Sequence, residues 1–133
     1  MIYLENYNKK HKIMAQSKSV LKDRSFAFAV EIVKCFKKMT ENKREFVLSK
    51  QLLRSGTSIG ANVREAKNAE STNDFIHKLG VAQKESDETL YWLELLEATD
   101  YLETDSYIKL SGEADQLLKM IRSSILTVKQ NRK

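Results

Sequence analysis

From about residue 24 onward, apolar side chains recur every three or four positions, and no stretch keeps the period of two that a strand requires. Phe26, Ala29, Val30, Val33 and Phe36 form a first stripe, over roughly 24–39. Leu48, Leu52, Ser55, Ile59, Asn62 and Ala66 form a second, with 4-3-4-3-4 spacing, over roughly 45–68. Phe75, Leu79, Ala82, Ser86, Thr89 or Leu90, Leu93 and Leu96 form a third, over roughly 73–98. Tyr107, Leu110, Ala114, Leu117, Ile121, Ile125 and Val128 form a fourth, over roughly 105–129. Each stripe reads as the core-facing side of an amphipathic helix. The breaks carry hydroxyls that can accept from free N–H groups, namely Thr40, Ser71 or Thr72, and Thr104. Asp74 and Asp105 suit the positive end of a helix. Short connections favour antiparallel neighbours, so the pattern predicts an all-α, antiparallel, up-down-up-down four-helix bundle over residues 21–133.

The first twenty residues break the pattern. "MIYLENYNKKHKIMAQSKS" is polar, basic and without helical periodicity, and reads as a flexible basic tail over residues 1–20. A short basic arm that orders on a partner is the alternative, and Met14 is a candidate for the true start, since the regular pattern begins soon after it.

Composition narrows the class. The 133 residues contain no proline and four glycines, with 31% charged residues, as in helical proteins. No apolar run approaches the roughly 18 residues of a membrane span, and no apolar leader is present. The single cysteine, Cys35, has no partner within the chain, which points to a reducing cytoplasm and a packing role. Charge is uneven. Residues 1–67 carry fifteen Lys or Arg against six Asp or Glu, a balance of +9, whereas residues 68–133 carry eight against twelve, a balance of −4. Such asymmetry suits a polyanionic partner, head-to-tail self-association, or both.

One pentapeptide offers an enzyme reading. Gly56-Thr57-Ser58-Ile59-Gly60 matches the G-x-S-x-G of a nucleophile elbow, which requires a strand followed by a sharp turn. Here the serine falls inside a helical stripe. Asp74 and His77 follow it, but one helical turn apart on one predicted helix. Other inventories also fail. A di-iron bundle needs two Glu-x-x-His pairs, and this chain has only His11, His77 and one Asp74-x-x-His77. No Gly-Lys-Ser/Thr follows the glycines to make a phosphate loop. No catalytic residue, cofactor or metal site is therefore assigned. Gly56 and Gly60 instead lie four apart on one helix flank, at a cost of roughly 2 kcal/mol against alanine. Close approach of another backbone would offset that cost, and the pair is assigned to an interface between copies, with a tolerated helical irregularity as the alternative.

Three segments carry a family resemblance. "LKDRSFAFAVEIV" (21–33), "LLRSGTSIGANVREA" (52–66) and "AQKESDETLYWLELL" (82–96) resemble the four helix bundle proteins, also called 23S rRNA intervening-sequence or S23 proteins. The resemblance runs from about Leu21 to Val128. It implies a left-handed up-down bundle assembled as a homopentameric ring, and supplies no catalytic residues. A related group, the accessory variability determinants of diversity-generating retroelements, implies nucleic acid and a reverse transcriptase as partners.

Two faces then gain meaning. On a wheel of helix two, Lys43, Lys50, Arg54 and Arg64 fall opposite the apolar stripe, within roughly 80°. Lys34, Lys37, Lys38 and Arg44 lie near the hairpin between helices one and two. Of this basic ridge, Lys37, Lys38, Lys43, Lys50, Arg54 and Arg64 are the candidate contacts to RNA or DNA, with an ordinary solvated face as the alternative. A ring would repeat them and add avidity. On helix three, Val81, Tyr91, Trp92 and Leu95 lie away from the core stripe, flanked by Glu85 and Glu88. Exposed aromatic clusters mark interfaces, so this patch is assigned to self-association, with Glu85 and Glu88 meeting Arg54 or Arg64 of a neighbour. The alternative is that Tyr91 and Trp92 cover core edges. The sequence thus predicts a non-enzymatic homo-oligomer that binds nucleic acid through a basic face, with a protein–protein adaptor as the second reading.

Overall fold

The computed structural model describes residues 2–131, with side chains from Val20 onward. Four helices follow in order: α1 (Ile2–Lys38), α2 (Leu48–Lys67), α3 (Thr72–Ala98) and α4 (Thr104–Asn131). A π-helical turn, Met39–Lys43, continues α1 into the first connection. Each helix packs on the next, and α4 returns to α1, so the fold is an all-α up-down-up-down four-helix bundle. The tail expected at residues 1–20 falls, except for Val20, where side chains lie outside the description.

The helices stand where their stripes predict, except in α1. Leu52, Ile59, Leu93, Leu96, Leu117 and Ile121 are wholly buried, each contributing roughly 2 kcal/mol through apolar area removed from water. In α1 the core seam is Leu21, Ser25, Phe28, Ile32, half-buried Cys35 and Met39. That seam also has 4-3-4-3-4 spacing, and lies roughly 120° around the helix from the predicted stripe. Phe26 and Val30 are therefore exposed, at 58% and 37%, and Ala29, Val33 and Phe36 are half-buried. The reason is the partner. Helix α2 presents glycines to α1, and only the face bearing Ser25 and Ile32 fits against them. A Cβ on Gly60 would stand 3.2 Å from the Ser25 carbonyl oxygen, and one on Gly56 would stand 2.8 Å from Ile32 Cγ1. The glycine pair thus serves close packing inside one chain, and the expected interface between copies is corrected accordingly.

The connections use local hydrogen bonds. Ser71 is the predicted N-cap of α3, and its hydroxyl accepts from the Asp74 amide at 3.1 Å. Thr40 is not a cap. Its hydroxyl donates back to the carbonyls of Phe36 and Lys37, inside the π turn. At the end of α3, the Tyr101 amide donates to the Leu96 carbonyl at 2.9 Å, and Asp100 sits in the left-handed region at φ 66°. This is a Schellman stop with aspartate where glycine is easiest. Asp100→Gly is expected to stabilise the chain by about 1 kcal/mol, read as a rise of roughly 3 °C in thermal midpoint.

Candidate nucleic-acid interface

The α1–α2 hairpin is held by one carboxylate. Glu45 is buried, and its oxygens accept from the backbone amides of Val47 at 3.1 Å, Leu48 at 2.9 Å and Ser49 at 2.7 Å. The Ser49 hydroxyl returns a bond to the Glu45 carbonyl at 2.8 Å. Burial alone would raise this carboxyl, but the amide bonds more than offset it and hold it below the ordinary glutamate range. Glu45 is the cap of α2 that the sequence reading missed, because it reaches forward from outside the helix instead of standing at the N-cap position. A lowered folded value stabilises the fold at and above the unfolded range, and that stabilisation is lost as pH falls through the folded value. Glu45→Gln is therefore expected to cost roughly 1–2 kcal/mol at pH 7, with wild type and variant converging in acid, as read by denaturant midpoints across pH.

Around this cap stand the cations. Lys37 and Lys38 end α1, Lys43 and Arg44 end the π turn, and Lys50 lies in the first turn of α2. All five are exposed, and none forms an ion pair among the described residues. Lys43 thus belongs with Lys37 and Lys38 at the hairpin, not on the wheel of α2. Phe46 and Val47 follow Arg44 in the same connection and precede Lys50 in sequence, 47% and 73% exposed. Arg44 is held at φ 53°, with its amide donating to the Met39 carbonyl. The sequence reading placed Arg44 near this hairpin but missed Phe46 and Val47, since an exposed loop interrupts any helical wheel.

Arg54 has a different task. Its guanidinium pairs with Glu85, at 3.1 Å, and with Glu88, both on α3 of the same chain. The bond to Arg54 is the chief cause that lowers the Glu88 carboxyl, and a bond from the Trp92 indole at 3.2 Å adds to it. The expected pairing of these glutamates with a neighbour is thereby corrected. Arg54 is a clasp between α2 and α3, still half exposed. Arg64 stands further down α2, its guanidinium 5.9 Å from the centre of the exposed Phe26 ring.

The aromatic patch on α3 is smaller than expected. Trp92 is half-buried and packs on the core, and Val81 and Leu95 are also half-buried. Tyr91 alone is open, at 57%, with its ring edge against Trp92 at 5.0 Å. The larger apolar surface is the α1 stripe of Phe26 and Val30. Ser58, the serine of the G-x-S-x-G match, donates to the Arg54 carbonyl at 2.6 Å in mid-helix. Among the described residues, no three of His, Cys, Asp and Glu gather as metal ligands, and no helix is long and apolar enough to cross a membrane. His11 lies outside the described side chains.

Fold and site together define a small antiparallel helical bundle with a cation-rich hairpin at one end. The chain belongs to the 23S rRNA-intervening sequence protein family, whose model matches residues 17–123. It is also similar to a crystal structure of a protein of unknown function from the S23 ribosomal protein family of Bacteroides thetaiotaomicron VPI-5482. The two are 49% identical, with a TM-score of 0.81, over 82% of this chain and 97% of that one. No curated protein matches.

Proposed function

We propose that this chain is a non-enzymatic, homo-oligomeric bundle that binds nucleic acid with little sequence preference through its α1–α2 hairpin. The observation that carries the reading is the set of five exposed hairpin cations, without ion pairs among the described residues, in the stretch of chain that exposes Phe46 and Val47. Lysine and arginine contact phosphates, and an exposed aromatic ring offers a base a stacking surface. Self-association rests on the open apolar stripe of α1 and on Tyr91, and the pentameric number on the family resemblance alone. Repetition of one hairpin around a ring would turn weak phosphate contacts into avidity. An enzyme acting on nucleic acid, such as a reverse transcriptase, is the partner that the resemblance adds.

An adaptor that binds only protein is the second reading, favoured by the exposure of Phe26 and Val30. Retention of mixed-sequence RNA and DNA on the immobilised chain in low salt separates the two. Retention supports the nucleic-acid reading, and its absence for every strand type favours the adaptor. Light scattering is expected to give a mass several times 15.4 kDa, and a monomer at micromolar concentration would defeat the oligomer.

A further inference from the structure

On the other side of the π turn, α1 and α4 do not close fully. A half-open cavity of about 220 Å³ lies between the last turns of α1 and the α3–α4 connection. Its floor is apolar, made by Cys35, Met39, Leu102 and Leu110, and Tyr101 forms a wall that is 37% exposed. Lys34, Lys38, Lys43 and Lys109 line it against two carboxylates, Glu31 and Glu103, so the cavity is net positive. Glu31 is shared between Lys34 at 3.6 Å and Lys109 at 3.9 Å. Lys38 and Lys43 make no ion pair among the described residues. Asn42 and Ser106 add neutral hydrogen-bonding groups.

An apolar floor with a few convergent polar groups is the general form of a small-ligand site. The charge selects an anion, and a phosphate monoester carries roughly −1.5 to −2 at neutral pH. The tyrosine selects a flat ring, because base–aromatic stacking tolerates every base. The volume lies just under the roughly 300 Å³ where such sites begin, so one end of the ligand projects into solvent. We propose that this cavity binds a nucleoside phosphate, free or as the phosphorylated end of a strand, with its phosphate on Lys38 and Lys43 and its base against Tyr101. This deepens the nucleic-acid reading by adding an end-recognising pocket beside the hairpin surface.

The chain has a single cysteine, and it lines this cavity. Burial pushes the Cys35 thiol up to about 11, with Lys38 opposing, so it attacks a disulfide slowly and the rate of that attack reports occupancy. The full chain is treated with an aromatic disulfide, and the rate of Cys35 modification is followed. Adenosine 5′-monophosphate is expected to slow the reaction about ten-fold at saturation, and adenosine is not, the phosphate supplying the charge-assisted contacts. A 5′-phosphorylated oligonucleotide is compared with its 5′-hydroxyl form. Protection by the phosphorylated strand alone assigns the pocket to strand ends, and protection by the free nucleotide as well assigns it to the nucleotide itself. Either outcome supports the proposal. Tyr101→Ala is expected to raise the nucleotide concentration required by about ten-fold, through loss of the base contact, while long-strand retention stays unchanged. Unchanged Cys35 reactivity with both phosphate-bearing ligands, or equal protection by adenosine, overturns the proposal. If nucleotide protects Cys35 but long strands are not retained, the hairpin reading fails and this pocket stands. The reverse pattern sinks the pocket alone.

Discussion

Gly56→Val is expected to destabilise the chain by about 3 kcal/mol, at the upper end for a residue forced into a filled core. The Ile32 side chain already fills the space that a Cβ would enter, with Cγ1 and Cγ2 at 2.8 and 2.9 Å. Ile32 is wholly buried and β-branched, so it has few rotamers to retreat into. Relief requires α1 and α2 to separate, which opens the core between them. Alanine adds one carbon and gains roughly 1 kcal/mol of helix propensity, so Gly56→Ala should cost less. Nothing lies within 4 Å of a Cβ at Gly80, and Gly80→Ala should stabilise the fold by nearly the whole propensity gain. Urea midpoints are therefore expected to descend from Gly80→Ala through wild type and Gly56→Ala to Gly56→Val. A valine variant as stable as wild type would mean that α1 and α2 do not meet so closely.

Reversing two cations at the hairpin should lower affinity for mixed-sequence RNA by about 10²-fold near 0.1 M salt. The pair is Lys37→Glu with Lys50→Glu. Both side chains are exposed and neither forms an ion pair among the described residues, so the fold should keep its stability. Neither residue lines the α1–α4 cavity, so the nucleotide pocket should be untouched. The matching reversal of Lys84 and Lys119, exposed on α3 and α4, is the control and should change affinity little. Arg54 is unsuitable for this purpose. Its removal would leave Glu85 and Glu88 facing each other without their clasp, and lost binding would be confounded with lost stability.

Much of this architecture was legible in the sequence, and the exceptions share a cause. The stripes of α2, α3 and α4 face the core because each helix has only one apolar side broad enough to be buried. Helix α1 has two stripes that each fit one side of a helix, and that fit does not rank them. What ranks them is a tertiary fact, the glycine face of α2, which accepts Ser25 and Ile32 and leaves Phe26 and Val30 outside. The same limit applies to charge. Lys50 and Arg54 are neighbours on the α2 wheel, yet one is free and the other is bound to two carboxylates of α3. A wheel records direction on one helix and omits what the next helix brings to it. The α3 patch was overread for that reason, since Glu88 and the core edge give Trp92 cover within the chain. The hairpin residues Phe46 and Val47 carry no periodic signal at all. They join the candidate site because Glu45 gathers the turn around its carboxylate.

The salt dependence of RNA binding tests the central claim most directly. Affinity of the wild-type chain and of the Lys37→Glu, Lys50→Glu variant is measured by titration across a range of salt concentrations. Phosphate contacts by the hairpin predict a linear fall of log affinity with log salt, and a slope about two units shallower in the variant. Affinity that ignores salt, or a variant that keeps the full wild-type slope and strength, would contradict the account.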